Sequence, residues 1–593
     1  MKQFFKFTFA SCLGMIIAMV LFVLIIVGIV GSIVASADKQ VVIEENSVLV
    51  LNLDKPIYDR EVSDFSSTFN IMNGEMDLRP SVGLTEFIQV LKRAKSDPKI
   101  KAIMLDVSVL QTTGWATVEE MRNALSDFKQ SGKKIYAYSE MFMQNAYYLC
   151  SVADEVYMNP AGLLMLTGLG AEVMYLKDAL NKFDIDVDLI RPQNNDYKSA
   201  GEMFINNKMS NANREQIKTY INSIWQHVSG NIAKSRNLDL ASLNDKVSKL
   251  ETFLPEDALK EKLVDKLMFR TDVQDLIMKN LNGNAEGGKN IKFVKYLKYR
   301  NSIQTIHTSK QDNIAIVYAF GEVKQGKGGD LSTGSESVVK AIRKAAKNKR
   351  VKAIVLRVNS PGGSAIASEE ITNEVIKAKK IKPVIVSMGD LAASAGYEIS
   401  SNATKIVASP TTITGSIGVF ATIPNFGKLL KNKLGVTFDT VQTHRNSVAL
   451  SVTKPLSKEA RAVMQRNVEN FYQGFITKVA EGRGLKKEFV DSIARGRVWT
   501  GEDAKALGLV DETGGLNTAI ELAAKEAKIK NYGILLYPQQ KDFVTQITEA
   551  LNGDEEMKLY GGKSSKAGDI FQQLQSVTDI QGVQKRLPYI ITF

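Results

Sequence analysis

The chain has 593 residues, 44% of them hydrophobic and 24% charged, with 42 Gly and 13 Pro spread along it; that composition does not fit disordered, collagen-like or mucin-like chains. Seventy-six basic against sixty-four acidic residues leave a net charge of +12, the mildly basic balance of a solvated surface, and no nucleic-acid module accompanies it. Two cysteines, Cys12 and Cys150, make neither a disulfide framework nor a four-ligand zinc site, and only three histidines (His227, His307 and His444) are present, which weakens every mechanism built on imidazole.

From Phe7 to Ser36 the chain runs for thirty positions without a charge, most densely apolar from Leu13 to Val34. A bilayer takes about 20 apolar residues as a helix, whereas the core of a cleavable signal runs about 7–15. The run is therefore expected to be a retained membrane anchor, although Ala35-Ser36-Ala37 has the small-x-small form of a cleavage site. Lys2, Lys6 and the α-amino group precede it. Asp38, Glu44 and Glu45 follow it with only Lys39 between. The positive-inside bias then puts the N-terminus in the cytoplasm and the rest of the chain outside.

After the anchor the chain repeats itself. Ile100-Lys101-Ala102-Ile103-Met104-Leu105 recurs as Val351-Lys352-Ala353-Ile354-Val355-Leu356, an offset of 251. The stretch before it, Phe87–Lys99, matches Val338–Arg350 with apolar residues at helical spacing. Lys134–Pro160 follows the pattern of Pro383–Pro410, with Tyr147 and Tyr397 in corresponding helices. Pro255-Glu256-Asp257-Ala258 leading to Leu263-Val264-Asp265 mirrors Gly501-Glu502-Asp503-Ala504 leading to Leu509-Val510-Asp511, where the offset is 246. Four matched blocks in one order make two copies of one fold.

Within a copy, short β-branched runs alternate with amphipathic helices. The second has strands at Ile314–Tyr318, Ala353–Arg357 and Val384–Ser387, and helices at Glu336–Lys347, Ser368–Ala378 and from near Ala392. This alternation predicts βαβ units with a parallel sheet and right-handed crossovers. Composition then divides the chain into an anchor (1–37), a first α/β half (38–285), a linker (286–310) starting in the Gly- and Asn-rich stretch, a second half (311–540), and a polar tail (541–593) expected to be peripheral.

Two turns set the second half apart. Asn359-Ser360-Pro361-Gly362-Gly363-Ser364 follows a strand, and a Pro-Gly-Gly turn there exposes backbone N–H groups suited to an oxyanion or a phosphate. Met388-Gly389-Asp390-Leu391-Ala392-Ala393-Ser394-Ala395-Gly396-Tyr397 sets a serine among small residues at a helix start, where a substrate backbone can approach and negative charge is favoured. A serine there would equally serve as a helix cap. The repeat discriminates between these readings: the first half has Leu110-Gln111-Thr112 in place of the glycine turn and Gln144 in place of Ser394. Conversely, the first half carries Asp196-Tyr197-Lys198-Ser199-Ala200-Gly201 where the second has Thr443-His444-Arg445-Asn446-Ser447, without a lysine. One half would keep a nucleophile and the other its base, with His444 a bystander.

Ser-Pro-Gly-Gly-Ser, Ala-Ala-Ser-Ala-Gly-Tyr, Thr414-Gly415-Ser416-Ile417-Gly418-Val419, Gly496-Arg497-Val498-Trp499-Thr500-Gly501 and the Tyr-Lys-Ser-Ala segment occur in the order and spacing of the signal peptide peptidase A (SppA, protease IV) family. Residues 1–535 resemble its long, duplicated form. The resemblance implies α/β architecture, a tandem duplication of the ClpP/crotonase-like fold (a superhelix of ββα units) with an N-terminal transmembrane helix. It also implies a serine endopeptidase of the bacterial cytoplasmic membrane, facing the periplasm or exterior. Its substrates would be cleaved signal peptides and other short apolar peptides. It would need no cofactor or metal and would assemble as a homo-tetramer.

Read onto matching positions, Ser394 would be the nucleophile, Lys198 the general base and Ser416 the residue that orients Lys198. Backbone N–H groups at Gly363 (with Gly362) and Ala395 would form the oxyanion hole. The family more often has Gly where Ala395 stands, but a backbone donor survives that change. A lysine takes a serine proton only if its pKa falls from about 10.4 towards 7–8, which burial accomplishes. Trp499-Thr500-Gly501 reads as packing and capping. The rival readings are a crotonase-type acyl-CoA enzyme, which would be cytosolic and use a carboxylate, and a non-catalytic membrane scaffold of the same fold.

Overall fold

The computed structural model describes residues 42–61, 81–112, 114–282, 291–303, 312–329 and 331–538, with short pieces before residue 22, at 69–70, 75–76 and 583–586. Most of the apolar run at 7–36 lies outside the described residues. Among the described residues no helix is long and apolar enough to cross a membrane.

Two sheets carry the repeat strand for strand. The first is parallel throughout, in the order Lys266–Leu267, Glu155–Met158, Lys134–Ser139, Ile100–Asp106, Ser47–Asn52, Lys292–Lys295. The second sets Glu512–Thr513, Lys405–Ala408, Val384–Ala393, Val351–Ser360, Asn313–Phe320 and Gly533–Tyr537 in the same order with parallel pairing, and adds Ile413–Gly415 beside the end of Val384–Ala393 and, antiparallel to it, Val498–Thr500. Even a register shift recurs, at Ser47/Val48 and at Asn313/Ile314. Residues within the stretch read as a linker form the first sheet's Lys292–Lys295 edge and the following helix Tyr296–Ser302.

The helices follow from their sequences. Ser335–Lys347 buries Val338, Ala341, Ile342, Ala345 and Ala346, a stripe at helical spacing, with Glu336 in its first turn and Lys344 and Lys347 in its last. Each half also has a 26-residue helix, Asn211–Arg236 or Lys458–Arg483. Each starts on a serine whose side chain accepts from the backbone (Ser210, Ser457) and ends on a left-handed residue, Asn237 or Gly484. Tyr147 donates to Leu263 O at 2.7 Å, and its counterpart Tyr397 to Leu509 O at 2.9 Å.

The halves interpenetrate. The first half's core takes in Ala393, Ile413 and Val498, and the second's takes in Ile190. Arg357, its side chain fully buried, meets Asp59 at 2.6 Å and Glu120 at 2.7 Å. The helix Trp115–Lys129 has no capping side chain of its own. Asp390 of the other half supplies one, accepting from Thr117 N at 2.8 Å and Thr117 Oγ1 at 2.6 Å. A third sheet mixes the halves: Asp186–Ile190, Phe420–Asn425, Val583–Arg586, Gly362–Ser364, Glu322–Lys324, Ser332–Gly334, Gly328–Gly329.

Candidate active site

The strand Val384–Ala393 delivers Ser394 to the start of the helix Ala395–Ser401. The strand runs past the β-branched stretch because Gly389 lets it lie against Asn359, whose Oδ1 accepts from Leu391 N at 3.1 Å. Ser394 has φ 58° and ψ −118°, a region that non-glycine residues rarely occupy. Its N–H donates to Gly415 O at 2.8 Å, which fixes that geometry. The small neighbours are required by space: a Cβ on Gly396 would lie 2.7 Å from Ser360 O.

Lys198 arrives from the other half. The strand Asp186–Ile190 pairs antiparallel with Phe420–Asn425, so the chain that follows it crosses to the second half. Lys198, Ser394 and Ser416 are all fully buried. Lys198 Nζ lies 2.7 Å from Ser394 Oγ, 2.9 Å from Ser416 Oγ and 2.9 Å from Ser416 O. A neutral amine has two hydrogens and a lone pair. With the hydrogens given to Ser416, the lone pair faces the Ser394 hydroxyl. That arrangement can take the hydroxyl proton.

The lysine loop is splinted by residues 495–497. Arg495 O accepts from Tyr197 N at 3.1 Å, while Gly496 N donates to Ile417 O at 2.8 Å and Ser416 N to Arg497 O at 2.7 Å. Gly496 (φ +79°) has room for no side chain, since a Cβ would come within 2.5 Å of Lys198 Cβ. Arg191 donates to Lys198 O at 3.1 Å, and Gln216 ties Tyr197 O (3.0 Å) to Val498 N (3.2 Å). Thr500 caps its helix, as the sequence reading has it. The positioning part of the Gly496-Arg497 segment is new, signalled in the sequence only by a glycine inside a quoted motif.

Gly362 and Gly363 lie on the strand Gly362–Ser364, with φ +107° and +151°. Gly363 packs so closely on Val323 that a Cβ would sit 2.1 Å from its carbonyl oxygen. Ala395 is the first helical residue after Ser394 and is fully buried. Burial pushes the Tyr397 phenol well above its usual range, so it stays neutral.

In the first half, Gln144 takes the place of the serine and does structural work, its Oε1 accepting from Thr167 N at 3.0 Å and Gly168 N at 2.9 Å. His444 sits exposed on a surface loop against Thr443. Among the described residues no three His, Cys, Asp or Glu side chains form a metal cluster.

The model of peptidase family S49 matches the chain twice, at residues 127–283 and 376–530. The chain is 34% identical over 515 residues to Protease 4 of Haemophilus influenzae, covering 85% of this chain and 82% of that one. It is 36% identical over 478 residues to Protease 4 of Salmonella typhi, covering 79% and 76%. Among solved structures it is similar to a ClpP1 mutant from Listeria monocytogenes (18% identity, 35% of this chain and 94% of that one, TM-score 0.24), too distant to add to the fold described above. Two S49 units in one chain, matched along most of their length by relatives of the same kind, make this chain a member of peptidase family S49, a serine peptidase with a duplicated fold.

Proposed function

We propose that Ser394 and Lys198 form a catalytic dyad shared between the halves. The observation that carries the reading is the buried 2.7 Å contact between Lys198 Nζ and Ser394 Oγ. Ser394 Oγ attacks a peptide carbonyl while Lys198 Nζ takes its proton. Ser416, bonded to Nζ through Oγ and O, holds the amine in line. The N–H groups of Gly363, with Gly362, and of Ala395 receive the developing oxyanion. The Lys198 ammonium then returns the proton to the leaving amine, and the acyl-enzyme is released by water activated by the same amine.

The substrates are signal peptides and other short apolar peptides, met at the membrane surface through an anchor at residues 7–36, with the catalytic part in the periplasm or exterior. A homo-tetramer would hold several such anchors together. Family membership and the apolar run in the sequence support this part of the reading.

The test is cleavage of a synthetic signal peptide by the full chain in detergent. Ser394→Ala and Lys198→Ala should each lower kcat at least about 10³-fold, with the fold retained. A fluorophosphonate probe should label Ser394 in the wild type and poorly in the lysine variant. Undiminished cleavage by either variant overturns the dyad.

A further inference from the structure

Three helices of the second half meet at a buried carboxylate that the dyad does not use. Glu398 stands one turn into the helix Ala395–Ser401, where its N–H donates to Ser394 O at 2.9 Å, and its side chain is fully buried. One of its oxygens accepts from Ser368 Oγ at 2.5 Å, the length of a charge-assisted bond to a carboxylate. The other lies 3.5 Å from Lys478 Nζ, which also pairs with Glu369. Ser368 and Glu369 stand near the start of the helix Ala365–Lys379, directly after the strand Gly362–Ser364, and Lys478 stands on Lys458–Arg483. Two of these helices adjoin the proposed oxyanion donors: Ala395 begins one, and Gly363 lies two residues before the other. A hole whose donors come from two elements depends on the spacing of those elements. The bond between Glu398 and Ser368 ties them within a turn of the donors.

The first half shows the same junction without the serine and the glycine turn. Counted from Gln144 in the place of Ser394, Tyr148 takes the place of Glu398. The matching helices put Val118 and Glu119 where Ser368 and Glu369 stand, and Asn231 where Lys478 stands. There Asn231 Nδ2 donates to the Tyr148 hydroxyl at 2.9 Å, a neutral tie, while Val118 offers no hydroxyl and Glu119 pairs with His227. The fold can therefore join these helices without a buried carboxylate. A buried ion carries a desolvation cost that a neutral tie avoids. The copy that bears this cost is the one with Ser394, Gly362 and Gly363.

We propose that Glu398 is a positioning residue for the reaction: its bond to Ser368 sets the spacing between the Ala395 and Gly363 donors, and Lys478 balances its charge. The proposal rests on the dyad reading above and adds residues outside the dyad. Donors stabilise a developing charge only where they are aimed, and misplacement of about 1 Å costs about 10²-fold in rate. An unbalanced negative charge one turn from the nucleophile would repel the oxyanion that the donors receive. Ser368 therefore serves the geometry, and Lys478 the electrostatics, of the same hole.

The experiment uses the full chain in detergent, a short apolar fluorogenic peptide as substrate and a peptide aldehyde as inhibitor. The serine hydroxyl adds across the aldehyde carbonyl, and the tetrahedral adduct draws on the oxyanion donors. Ser368→Ala and Glu398→Leu should each lower kcat about 10- to 100-fold, leave KM within about twofold, and weaken the aldehyde by the same factor as kcat. Glu398→Gln keeps an acceptor for Ser368 and should stay within about threefold of wild type. Lys478→Met should lower kcat about tenfold, and adding Glu398→Gln to it should restore turnover. Wild-type kcat and aldehyde affinity in both Ser368→Ala and Glu398→Leu overturn the proposal. So does a loss of kcat with aldehyde affinity unchanged, the mark of a partly misfolded preparation, or a Lys478→Met loss that Glu398→Gln fails to restore. Ser394→Ala run alongside separates the two readings. If it abolishes cleavage while the Ser368 and Glu398 variants match wild type, the dyad stands and this proposal falls; cleavage that survives Ser394→Ala removes both.

Discussion

Ser394 sits in a backbone conformation that costs on the order of 1–3 kcal/mol for a residue with a side chain. Its surroundings impose that cost: Ser394 N is held by Gly415 O, and Gly396 lies against Ser360 O. The same tightness governs the lysine side, where Gly496 fills the space beside Lys198 Cβ. Gly496→Ala would press on Lys198 at its Cβ and push it off its line to Ser394 while leaving Nζ and Oγ chemically intact. Misplacement of about 1 Å is expected to cost about 10²-fold in kcat, with KM little changed. Fluorophosphonate labelling of Ser394 should slow in parallel, and a variant with wild-type turnover would show that the contact relaxes harmlessly. Ser394 and Lys198 stood out in the sequence because the repeat supplied a copy lacking each of them, whereas Ser416 came only with the family resemblance. Gly496 did not stand out, because what makes it a glycine is a loop some three hundred residues earlier in the chain.

At the scale of elements, the repeat preserves ties between helices and strands that carry no chemistry. Asp265 accepts from Val156 N at 2.7 Å and pairs with Arg236; its counterpart Asp511 accepts from Ile406 N at 2.9 Å and pairs with Arg483 at 2.7 Å. Partial burial alone would raise the Asp511 pKa, but Arg483, the Ile406 N–H and Lys405 outweigh it and hold the carboxyl below its ordinary value. A depressed folded-state pKa means the contribution is fully present above about pH 4, the unfolded value, and is lost as pH falls through the folded one. Asp511→Asn should therefore cost about 1.5–3 kcal/mol at neutral pH. The gap in melting temperature from wild type should close in strong acid. An equal gap at pH 7 and at about pH 2.5 would show that the carboxylate charge is not what Arg483 and Ile406 need. Periodicity predicted the elements that these ties join. It ended the Val384 strand too early, because Gly389 and Asp390 break the β-branched pattern while Thr412 donates to Gly389 O, Thr117 to Asp390, and Asn359 Oδ1 accepts from Leu391 N.

Over the whole molecule, the contact of Lys198 with Ser394, 196 residues apart and proposed here as the catalytic pair, needs the two halves held in one register. Arg357 is a fully buried link. Its own burial lowers its pKa, but Asp59 and Glu120 outweigh that and raise it, while burial raises Glu120. Arg357 also donates to Ser387 Oγ at 2.8 Å, in the strand that leads to Ser394. Such cross-half links, like the third sheet, are invisible to pattern reading, since strands of a few residues from distant segments leave no periodicity. A buried charge left without its partner is costly, whereas replacing a whole buried ion cluster by neutral groups is often tolerated. Arg357→Met should thus destabilise the chain by about 3–5 kcal/mol and lower kcat through loss of register between Lys198 and Ser394. The triple variant with Asp59→Asn and Glu120→Gln should recover much of the stability. If turnover recovers with it, the ions act only as filler; if stability returns while turnover stays low, Arg357 sets the alignment of the halves. The contacts to Ser387 and Asp59 favour the second outcome, measured as melting temperature and kcat on the same preparations.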